Sequence, residues 1–326
     1  MKPSILVCGG AGYIGSHMVR LLISKGLDVV VFDNLSTGHA ASIKGVKLVQ
    51  GDVRDSGSLD SVFEAFKFEA VMHFCASSLA GESVTKPLEY FQNNVGGSIS
   101  LLQTMQRHDV DKIIFSSSAA IFGEPVSERI DEQHPKRPVN PYGASKLMVE
   151  RILADTVSAH GLRAVSLRYF NAAGASLDGG IGESHDPETH LIPNALSSAN
   201  GRGHRLKIFG ADYPTHDGSC IRDYIHVDDL ARAHLSALYL LRSEPGFHEF
   251  NLGNGEGFSV FEVIRAVQRV TSHTVDFEIV ERREGDPSVL VASCERAIQR
   301  LGWCPKITEL DTIVESAWAW HKSRTY

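Results

Sequence analysis

The sequence predicts an α/β protein in which a doubly wound parallel sheet carries a smaller mixed α/β lobe. Three observations support this prediction. Short β-branched runs alternate with helical patterns in the first half of the chain, a glycine-rich turn follows the first run, and the composition changes beyond residue 172. Strands that alternate with helices form βαβ units and a parallel sheet, and right-handed crossovers place helices on both of its faces.

The first half of the chain contains six runs that predict buried strands and four stretches that predict helices. A short apolar run bounded by turn residues is typical of a strand buried on both faces, whereas apolar residues at a spacing of three and four indicate a helix. We expect strands near 5–7, 29–32, 47–50, 70–74, 112–116 and 164–168, and helices near 14–25, 58–66, 87–108 and 142–160.

The second half begins with a stretch, 172–190, that is rich in Gly, Ala, Ser, Asp and His and therefore predicts a loop. We expect one domain over 1–172 and a second over 173–326. The boundary is open, because a segment such as 224–245 can return to the first domain. The predicted elements of the second lobe are helices near 191–200, 227–242, 259–271 and 308–322, and strands near 206–209 and 275–280.

Composition excludes several classes of protein. The 326 residues carry 32 basic and 39 acidic side chains, a net charge of −7, without the basic stripe that a nucleic-acid or anionic-membrane binder needs. No run approaches the roughly 18 apolar residues of a membrane span. The five cysteines are odd in number and lack a C-x-x-C pair, which argues against a disulfide framework or a zinc site. A cytoplasmic protein without a bound metal is expected.

The glycine turn predicts a dinucleotide site. Gly9, Gly12 and Gly15 follow the first predicted strand and open the first predicted helix. Glycines at this spacing allow a tight turn and close approach of a pyrophosphate to the helix N-terminus. Asp33 ends the second strand, where an acid binds the ribose hydroxyls and repels a 2′-phosphate, so NAD is favoured over NADP. Asp52 and the adjoining Val53 end the third strand near the adenine; ordinary turn roles for Asp33 and Asp52 are the alternative.

A serine, a tyrosine and a lysine predict proton chemistry beside this site. Ser118 follows the fifth strand, and Tyr142 and Lys146 are four residues apart on a helix that Asn140 caps. Lowering the pKa of tyrosine from about 10 to about 7 requires roughly 4 kcal/mol. One positive charge about 4–5 Å away supplies roughly 3–4 kcal/mol, so Lys146 together with a cationic nicotinamide nearby is enough. The alternative is a chance Tyr-x-x-x-Lys pair, since the chain has eight tyrosines.

These motifs together make the chain similar to the extended short-chain dehydrogenase/reductase family, which has a Rossmann-like fold. The resemblance is closest to the nucleotide-sugar 4-epimerases of that family and extends over almost the whole chain. It implies an NAD-binding domain over 1–172 and a UDP-sugar-binding domain over 173–326. The stretches that carry the resemblance include 9–17, 33–35, 73–74, 81–84, 86–90, 93–95, 115–119, 141–150, 167–171, 207–210, 212–215, 222–227 and 282–286.

The resemblance implies reversible epimerisation at C4 of UDP-galactose and UDP-glucose. A hydride passes from C4 to tightly bound NAD+, the 4-keto sugar turns in the pocket, and the hydride returns to its other face. Tyr142 would take the 4-hydroxyl proton, Lys146 would hold the pKa of Tyr142 down, and Ser118 would bind the 4-oxygen. The residues implied at the NAD site are Gly9, Gly12, Tyr13, Ile14, Gly15, Asp33, Asn34, Asp52, Val53, Phe74, Asn93, Ser118, Tyr142, Lys146 and Phe170.

The resemblance also implies how the second lobe binds a UDP-hexose. A guanidinium fork suits a diphosphate, whereas without the surrounding motifs these arginines would be taken as surface ion pairs. Leu290 stands where a bulkier residue narrows the sugar pocket in relatives, so N-acetylated UDP-hexoses are expected to fit as well. The substrate-binding residues implied in addition to Ser118 and Tyr142 are Asn171, His190, Arg222, Arg283, Asp286 and Leu290.

Two other functions are weighed against 4-epimerisation. Another nucleotide-sugar epimerase or a dehydratase shares the fold, but dehydratases of this family place an acid pair where this chain has Ala119 and Ala120. Alanine cannot supply a proton for the elimination of water. A non-catalytic NAD-sensing protein would need the glycine turn but not Tyr142 and Lys146. The resemblance further implies a homodimer that pairs the two long helices of the first domain.

Overall fold

The computed structural model describes residues 3–201, 203–283 and 286–326. Within these ranges the strands are β1 (Ser4–Cys8), β2 (Val29–Asp33), β3 (Lys47–Gln50), β4 (Phe68–His73), β5 (Lys112–Ser118), β6 (Arg163–Tyr169), β7 (Asn171–Ala173), β8 (Leu206–Phe209), β9 (Ile221–Arg222), β10 (Tyr224–His226), β11 (Phe247–Leu252), β12 (Phe258–Ser259), β13 (Phe277–Val280) and β14 (Val289–Leu290).

The α-helices of the same ranges include all those that the sequence predicted, together with two short ones that it did not. Their bounds are α1 (Tyr13–Ser24), α2 (Ser56–Ala65), α3 (Ala80–Thr85), α4 (Pro87–Tyr90), α5 (Gly97–Arg107), α6 (Pro141–His160), α7 (Leu191–Ala199), α8 (Val227–Ser243), α9 (Val260–Thr271), α10 (Glu295–Leu301) and α11 (Leu310–Lys322). A π-helical turn, Phe91–Gly96, separates α4 from α5 where one helix over 87–108 was predicted. The unpredicted helices are α3 and α10.

A seven-stranded sheet in the order β3-β2-β1-β4-β5-β6-β11 forms the centre of the molecule, and every neighbouring pair in it is parallel. The strand order reverses between β1 and β4: strands β2 and β3 continue the sheet on one side of β1, and β4, β5, β6 and β11 continue it on the other. In doubly wound sheets ligands bind beyond the carboxyl ends of the strands at this reversal. The topology confirms the predicted Rossmann-like α/β fold.

Alternate residues of each central strand face opposite sides of the sheet, as strand geometry requires. On β1, Ile5 and Val7 pack with helices α1 and α8 on one face. Leu6 and Cys8 pack with residues of α2, α5 and α6 on the other face. Both faces are therefore covered, which explains why the strand sequences are almost continuously apolar.

The segment after residue 224 contributes to both parts of the molecule. Strand β10 pairs with β7 in a separate two-stranded sheet, while α8 packs on α1, β5 and β6. Strand β11 then adds the seventh strand to the large sheet, next to β6. Sequence analysis predicted no strand there, because His248, Glu249 and Asn251 interrupt the apolar pattern. The division into domains 1–172 and 173–326 stays a prediction.

The smaller lobe has a core of its own. Residues from α7, α9 and α11 pack together with β8, which pairs in parallel with β13. A second small sheet places β9 between β12 and β14. This mixture of parallel and antiparallel pairs confirms the predicted mixed α/β lobe. Among the described residues, no helix has the length and apolar character that crossing a membrane requires.

Candidate active site

The glycine turn lies at the carboxyl end of β1, as predicted, and leads directly into α1. Gly9 has a φ of 79°, in the left-handed region, and Gly12 stands at the N-cap of α1. A Cβ on Gly15 would lie 2.2 Å from the carbonyl oxygen of Gly9, so only glycine fits where the helix meets the turn. The turn thus brings backbone N–H groups at the start of α1 to the carboxyl end of β1, an arrangement that suits a pyrophosphate.

Asp33, at the end of the neighbouring strand β2, binds the backbone of the glycine turn. Its Oδ2 accepts the backbone N–H of Ala11 at 2.9 Å, and its Oδ1 accepts that of Leu35 at 2.8 Å. The carboxylate is almost fully buried. An ionised carboxylate offers about four acceptor positions, so both oxygens retain capacity for the ribose hydroxyls of a dinucleotide. The residues present at this end of the sheet therefore fit NAD.

Asn34, Asp52 and Val53 lie together next to Asp33. The Asn34 amide donates to Asp52 Oδ2 at 2.9 Å, and Arg54 forms an ion pair with the same carboxylate. Hydrogen bonds from Arg54 hold the pKa of Asp52 well below its usual range. Val53 is buried against Gly97. The carboxylate is thus charged and fixed in place by residues close to it in the chain.

The remaining residues predicted at the NAD site are held by contacts of their own. The Tyr13 hydroxyl donates to the carbonyl of Gly174 at 2.6 Å, and the Ile14 side chain packs against the core. The Phe74 ring lies 4.8 Å from the His234 ring. Asn93, in the π-helical turn, donates to Ser77 at 3.3 Å. Phe170 is nearly buried and continues directly from β6.

Helix α6 carries the predicted proton-transfer residues. Asn140 caps it by accepting the N–H of Gly143 at 2.8 Å, and Pro141 occupies the first turn. Tyr142 and Lys146 follow one turn apart. The buried Lys146 ammonium donates to the carbonyl of Ser116 at 2.7 Å and lies 5.9 Å from the centre of the Tyr142 ring. The helix therefore positions both side chains at the carboxyl end of β5, beside Ser118.

Burial is the main influence on the pKa values of Lys146 and Tyr142. Burial lowers the pKa of Lys146 to about 7, and the nearby Cys75 and Glu150 oppose that change. Burial raises the pKa of Tyr142, while a hydrogen bond with Ser118 acts in the opposite direction. The expected pKa of about 7 for Tyr142 includes the charge of a nicotinamide beside Lys146, so it stays a prediction for the protein with NAD bound.

Glu150 is a residue of this site that the sequence analysis did not single out. It lies one turn after Lys146 on α6, and its Oε1 accepts from Ser117 at 2.7 Å and from Ser166 at 2.8 Å. Both of its oxygens also accept from the fully buried Arg168, at 2.9 and 2.8 Å. The spacing of four from Lys146 was the available signal. Glu150 ties α6 to β5 and β6 directly beneath the site.

The second lobe brings part of the predicted substrate set together. Arg222 forms an ion pair with Asp286, and Leu290 is the register partner of Arg222 across strands β14 and β9. Arg283 lies over the Phe209 ring at 3.7 Å. Within the 282–286 motif, Glu284 and Gly285 lie outside the described residues.

The other two predicted substrate residues have separate partners. The Asn171 amide donates to the carbonyl of Asp223 at 3.0 Å, which fixes it at the start of β7. The half-exposed His190 has its charged contacts with Glu183 and Glu188, in the loop before α7. Sequence analysis did not identify this acidic pair, because the segment reads as a loop and its acids are not adjacent.

Comparison with known proteins identifies the family. Residues 5–253 match the sequence model of the NAD dependent epimerase/dehydratase family. The chain belongs to this family. It is 53% identical to the UDP-glucose 4-epimerase of Halalkalibacterium halodurans over 323 residues, covering 99% of this chain and 97% of that protein. Membership confirms the predicted dinucleotide fold.

Two solved structures of the family are similar over nearly their whole length. The UDP-glucose 4-epimerase of Brucella ovis in complex with NAD is 47% identical, with a TM-score of 0.94 and 97% of each chain covered. The UDP-glucose 4-epimerase of Bifidobacterium longum in complex with NAD+ and UDP is 38% identical, with a TM-score of 0.94 and 98% of each chain covered. The epimerase/dehydratase fold therefore includes the second lobe as well as the glycine turn.

Proposed function

We propose that this chain catalyses the reversible 4-epimerisation of UDP-galactose and UDP-glucose. The observation that carries the proposal is the grouping of Ser118, Tyr142 and Lys146 at the carboxyl end of β5. The near full-length identity to UDP-glucose 4-epimerases supports it. NAD is the cofactor of this NAD-dependent family, and the glycine turn with Asp33 fits it.

When bound, NAD supplies a hydride acceptor for C4 of the sugar and, once the 4-keto sugar has turned, a hydride donor for its opposite face. The residues proposed to hold it are the amides that follow Gly9 and Gly12, the close-packed Gly15, and Asp33 at the adenosine ribose. Lys146 is proposed to contact the nicotinamide ribose. The remaining contacts are proposed for Tyr13, Ile14, Asn34, Asp52, Val53, Phe74, Asn93 and Phe170.

Tyr142 is the proposed acid and base. Its phenol oxygen removes the proton from the sugar 4-hydroxyl and returns it after the hydride has come back. Ser118 shares a hydrogen bond with Tyr142 and is proposed to hold the 4-oxygen between them. A charged Lys146 favours the phenolate form, because an opposite charge nearby lowers the pKa of an acid.

The second lobe is proposed to bind the UDP part while leaving the hexose free to turn. Arg222 and Arg283 suit the diphosphate, and Asp286 suits the uridine ribose. Asn171 and His190 are proposed to contact the substrate as well. The Arg222–Asp286 ion pair supports the roles proposed for these two residues, since it holds a guanidinium, which suits a diphosphate, next to a carboxylate that can accept hydrogen bonds from a ribose. Leu290, in register with Arg222, is proposed to admit UDP-N-acetylhexosamines as additional substrates.

Dehydration is disfavoured by the residues that follow Ser118. Ala119 and Ala120 form a short 3₁₀ turn at the end of β5, and their methyl groups carry no exchangeable proton. Elimination of water needs a general acid at the leaving hydroxyl. A non-catalytic NAD-sensing protein would have no use for a buried lysine beside a tyrosine.

The test uses purified protein without added NAD. Incubation with UDP-galactose and, separately, with UDP-N-acetylgalactosamine is followed in the anomeric region of the proton NMR spectrum. We expect conversion to the gluco epimer, and Tyr142→Phe should lose at least about 100-fold in rate while retaining NAD. Tyr239→Phe, at an exposed tyrosine of α8, is the matched control and should keep full activity. Absence of conversion even with added NAD would refute the proposal.

We also propose a homodimer. Val84, Leu88, Ile99 and Met148 are exposed by 62%, 80%, 39% and 47% on neighbouring helices of one side of the molecule. Large exposed apolar side chains on neighbouring helices are what a protein interface would cover. Sedimentation velocity should give a dimer for the wild-type chain and a monomer for the Leu88→Glu/Met148→Glu double variant. Val126→Glu, at an exposed apolar residue elsewhere, should remain dimeric.

A cytoplasmic location and a part in galactose metabolism complete the proposal. All five cysteines lie in the described part of the chain and are free thiols, which suits a reducing compartment. Interconversion of UDP-galactose and UDP-glucose connects galactose to glucose-derived sugar nucleotides. Fractionation of source cells, with activity assayed in the soluble and membrane fractions, tests the location.

A further inference from the structure

Four side chains with metal-binding chemistry converge in the loop that precedes α7. Glu183, His185, Glu188 and His190, named here the EHEH cluster, have one potential ligand atom each, and these atoms all lie within 4.8 Å of one another. His185 Nδ1 lies 3.3 Å from Glu183 Oε1 and 3.5 Å from Glu188 Oε2. His190 Nδ1 lies 2.6 Å from Glu183 Oε1 and 3.3 Å from Glu188 Oε1.

The backbone around the EHEH cluster is fixed by hydrogen bonds from the rest of the fold. The carbonyl of Glu183 accepts from Trp320 Nε1 at 2.8 Å and from Arg324 at 3.0 Å. Glu188 Oε1 accepts the backbone N–H of His190 at 2.9 Å. The Tyr13 ring stands edge-on to His185, with 6.4 Å between ring centres. The donors are therefore held in place by α11, α1 and the loop itself.

Apart from the contacts within the EHEH cluster, three of the donor atoms are buried without a hydrogen-bond partner, namely Glu183 Oε1, His185 Nδ1 and Glu188 Oε2. Glu183 is 6% exposed, and its carboxylate points into the cluster. Burial disfavours charged imidazoles, but the two carboxylates outweigh it and raise the pKa of His185 to about 9 and of His190 to about 10. Buried carboxylates are stabilised by a cation, and a metal ion bound by neutral imidazoles can take the place of protonated histidines in this role.

We propose that the EHEH cluster binds one divalent transition-metal ion, with Zn²⁺ as the ion that its donors fit. Zinc takes four N and O ligands in a tetrahedron at about 2.0–2.2 Å, which separates neighbouring donors by roughly 3.3–3.6 Å. The four contacts above span 2.6 to 3.5 Å, so small side-chain movements suffice. Two imidazoles favour zinc over Mg²⁺ and Ca²⁺, which prefer oxygen ligands.

The proposed site is distinct from the Ser118, Tyr142 and Lys146 group and uses no cysteine, which is why cysteine spacing gave no sign of it. The ion would link the loop over 182–190 to the start of α7. Ligation through Nδ1 leaves Nε2 of His190 available, so the proposed contact of His190 with the sugar nucleotide is compatible with a bound metal. The metal proposal does not depend on the epimerase assignment.

The test measures zinc binding directly. Full-length, untagged protein with its retained NAD is freed of metal with a chelator and titrated with ZnCl₂ by calorimetry. All proteins carry Cys304→Ser, because Cys304 is exposed and a thiol can bind zinc by itself. We expect one zinc per chain, with release of protons from the histidines. Mg²⁺ and Ca²⁺ should give no heat beyond dilution.

Matched variants assign the site. Glu183→Gln/His185→Asn and, separately, His190→Asn should weaken zinc binding by about 10- to 100-fold or more. His160→Asn, at an exposed histidine that ends α6, should bind zinc as the parent does. The His190 side chain is 51% exposed, so its replacement leaves the fold intact even where the double variant does not.

Cobalt gives an independent readout, since a tetrahedral Co²⁺ site absorbs visible light more strongly than hydrated Co²⁺. We expect that absorption in the parent and in His160→Asn, and its loss in His190→Asn. The proposal is overturned if the parent takes up no zinc at submillimolar concentration. It is also overturned if His190→Asn binds zinc as tightly as the parent, which would place the ion elsewhere and leave the EHEH cluster as an ion-pair network.

Discussion

Replacing Glu150 by glutamine tests how the active-site helix is anchored. Glu150 accepts four hydrogen bonds, two from the hydroxyls of Ser117 and Ser166 and two from Arg168, all between 2.7 and 2.9 Å. Arg168 has no exposed side-chain surface, and its other ionic partner is Glu249 at 2.5 Å. Glu150→Gln keeps the shape of the side chain and removes its charge.

The magnitude follows from these contacts. Breaking a buried ion pair by neutralising one partner destabilises a protein by about 3–5 kcal/mol. Arg168 retains Glu249, and a glutamine oxygen can still accept one of its hydrogen bonds, while the serine hydroxyls can turn to accept from the new amide. We therefore expect the lower end, about 3 kcal/mol. At a urea slope of about 3 kcal/mol/M, this lowers the unfolding midpoint by about 1 M.

The assay is urea unfolding followed by circular dichroism, at equal protein and NAD concentrations because bound ligand adds to apparent stability. Glu64→Gln, at an exposed acid of α2, is the matched control and should stay within about 0.5 kcal/mol of the wild type. If Glu150→Gln also unfolds within that range, the anchoring argument is wrong.

The same substitution has a catalytic signature. The Glu150 charge raises the pKa of Lys146 against the effect of burial, so its removal should move that pKa further below about 7. Lys146 then loses its positive charge at a lower pH. The epimerisation rate should accordingly decline at lower pH on the alkaline side than in the wild type. An unchanged pH–rate profile would show that Glu150 does not act on Lys146.

Three further outcomes are expected. The Gly15→Ala protein should lose NAD during purification, since the new Cβ would lie 2.2 Å from the Gly9 carbonyl oxygen. The Gly57→Ala protein, in which the new Cβ makes only ordinary contacts, should retain NAD. Absorbance at 340 nm after reduction measures the bound NAD. Leu290→Tyr should lower the rate on UDP-N-acetylgalactosamine relative to UDP-galactose by about tenfold or more, as measured by NMR, and an unchanged ratio would remove Leu290 from the pocket. Acid should destabilise the fold below pH 6.5, because burial lowers the pKa of four histidines to about 3 or 4. The free energy of unfolding should fall by about 1.4 kcal/mol per histidine for each pH unit between 6.5 and these lowered pKa values. Burial raises the pKa of Asp223 to about 6, which offsets part of this loss, and a urea midpoint that stays constant from pH 7 to pH 5 would contradict the prediction. The four buried histidines are His17, His73, His226 and His234.

Sequence patterns predicted the central sheet well, because buried parallel strands are almost wholly apolar and glycine marks the first turn. The strand predicted over 47–50 and the helix predicted over 142–160 lie within a residue of those observed. The positions of Tyr142 and Lys146 followed from helix spacing alone. Their place beside Ser118 followed from the rule that the carboxyl ends of parallel strands share one edge.

Features that depend on partners distant in the chain were not predictable in the same way. Strand β11 carries two polar residues with partners distant in the chain. Glu249 accepts a hydrogen bond from Arg168, and the Asn251 amide donates to the carbonyl of Ile130, so the sequence of the strand neither alternates nor runs apolar. The two glutamates and two histidines of the EHEH cluster look like ordinary loop residues until the fold brings them together. Burial, which sets the pKa of Lys146, is likewise a property of the fold.

The pKa values of Tyr142 and Lys146 show why the site is built as a coupled pair. A lysine exposed to water keeps its charge at any physiological pH, whereas burial brings the pKa of Lys146 to about 7. Loss of the Tyr142 proton creates a negative charge that favours a charged Lys146, and a charged Lys146 in turn favours the phenolate. We therefore expect the two groups to titrate together, and a positive charge added next to Tyr142 to favour its phenolate form. In the proposed mechanism, proton removal from the sugar would thereby depend on the presence of the bound cofactor.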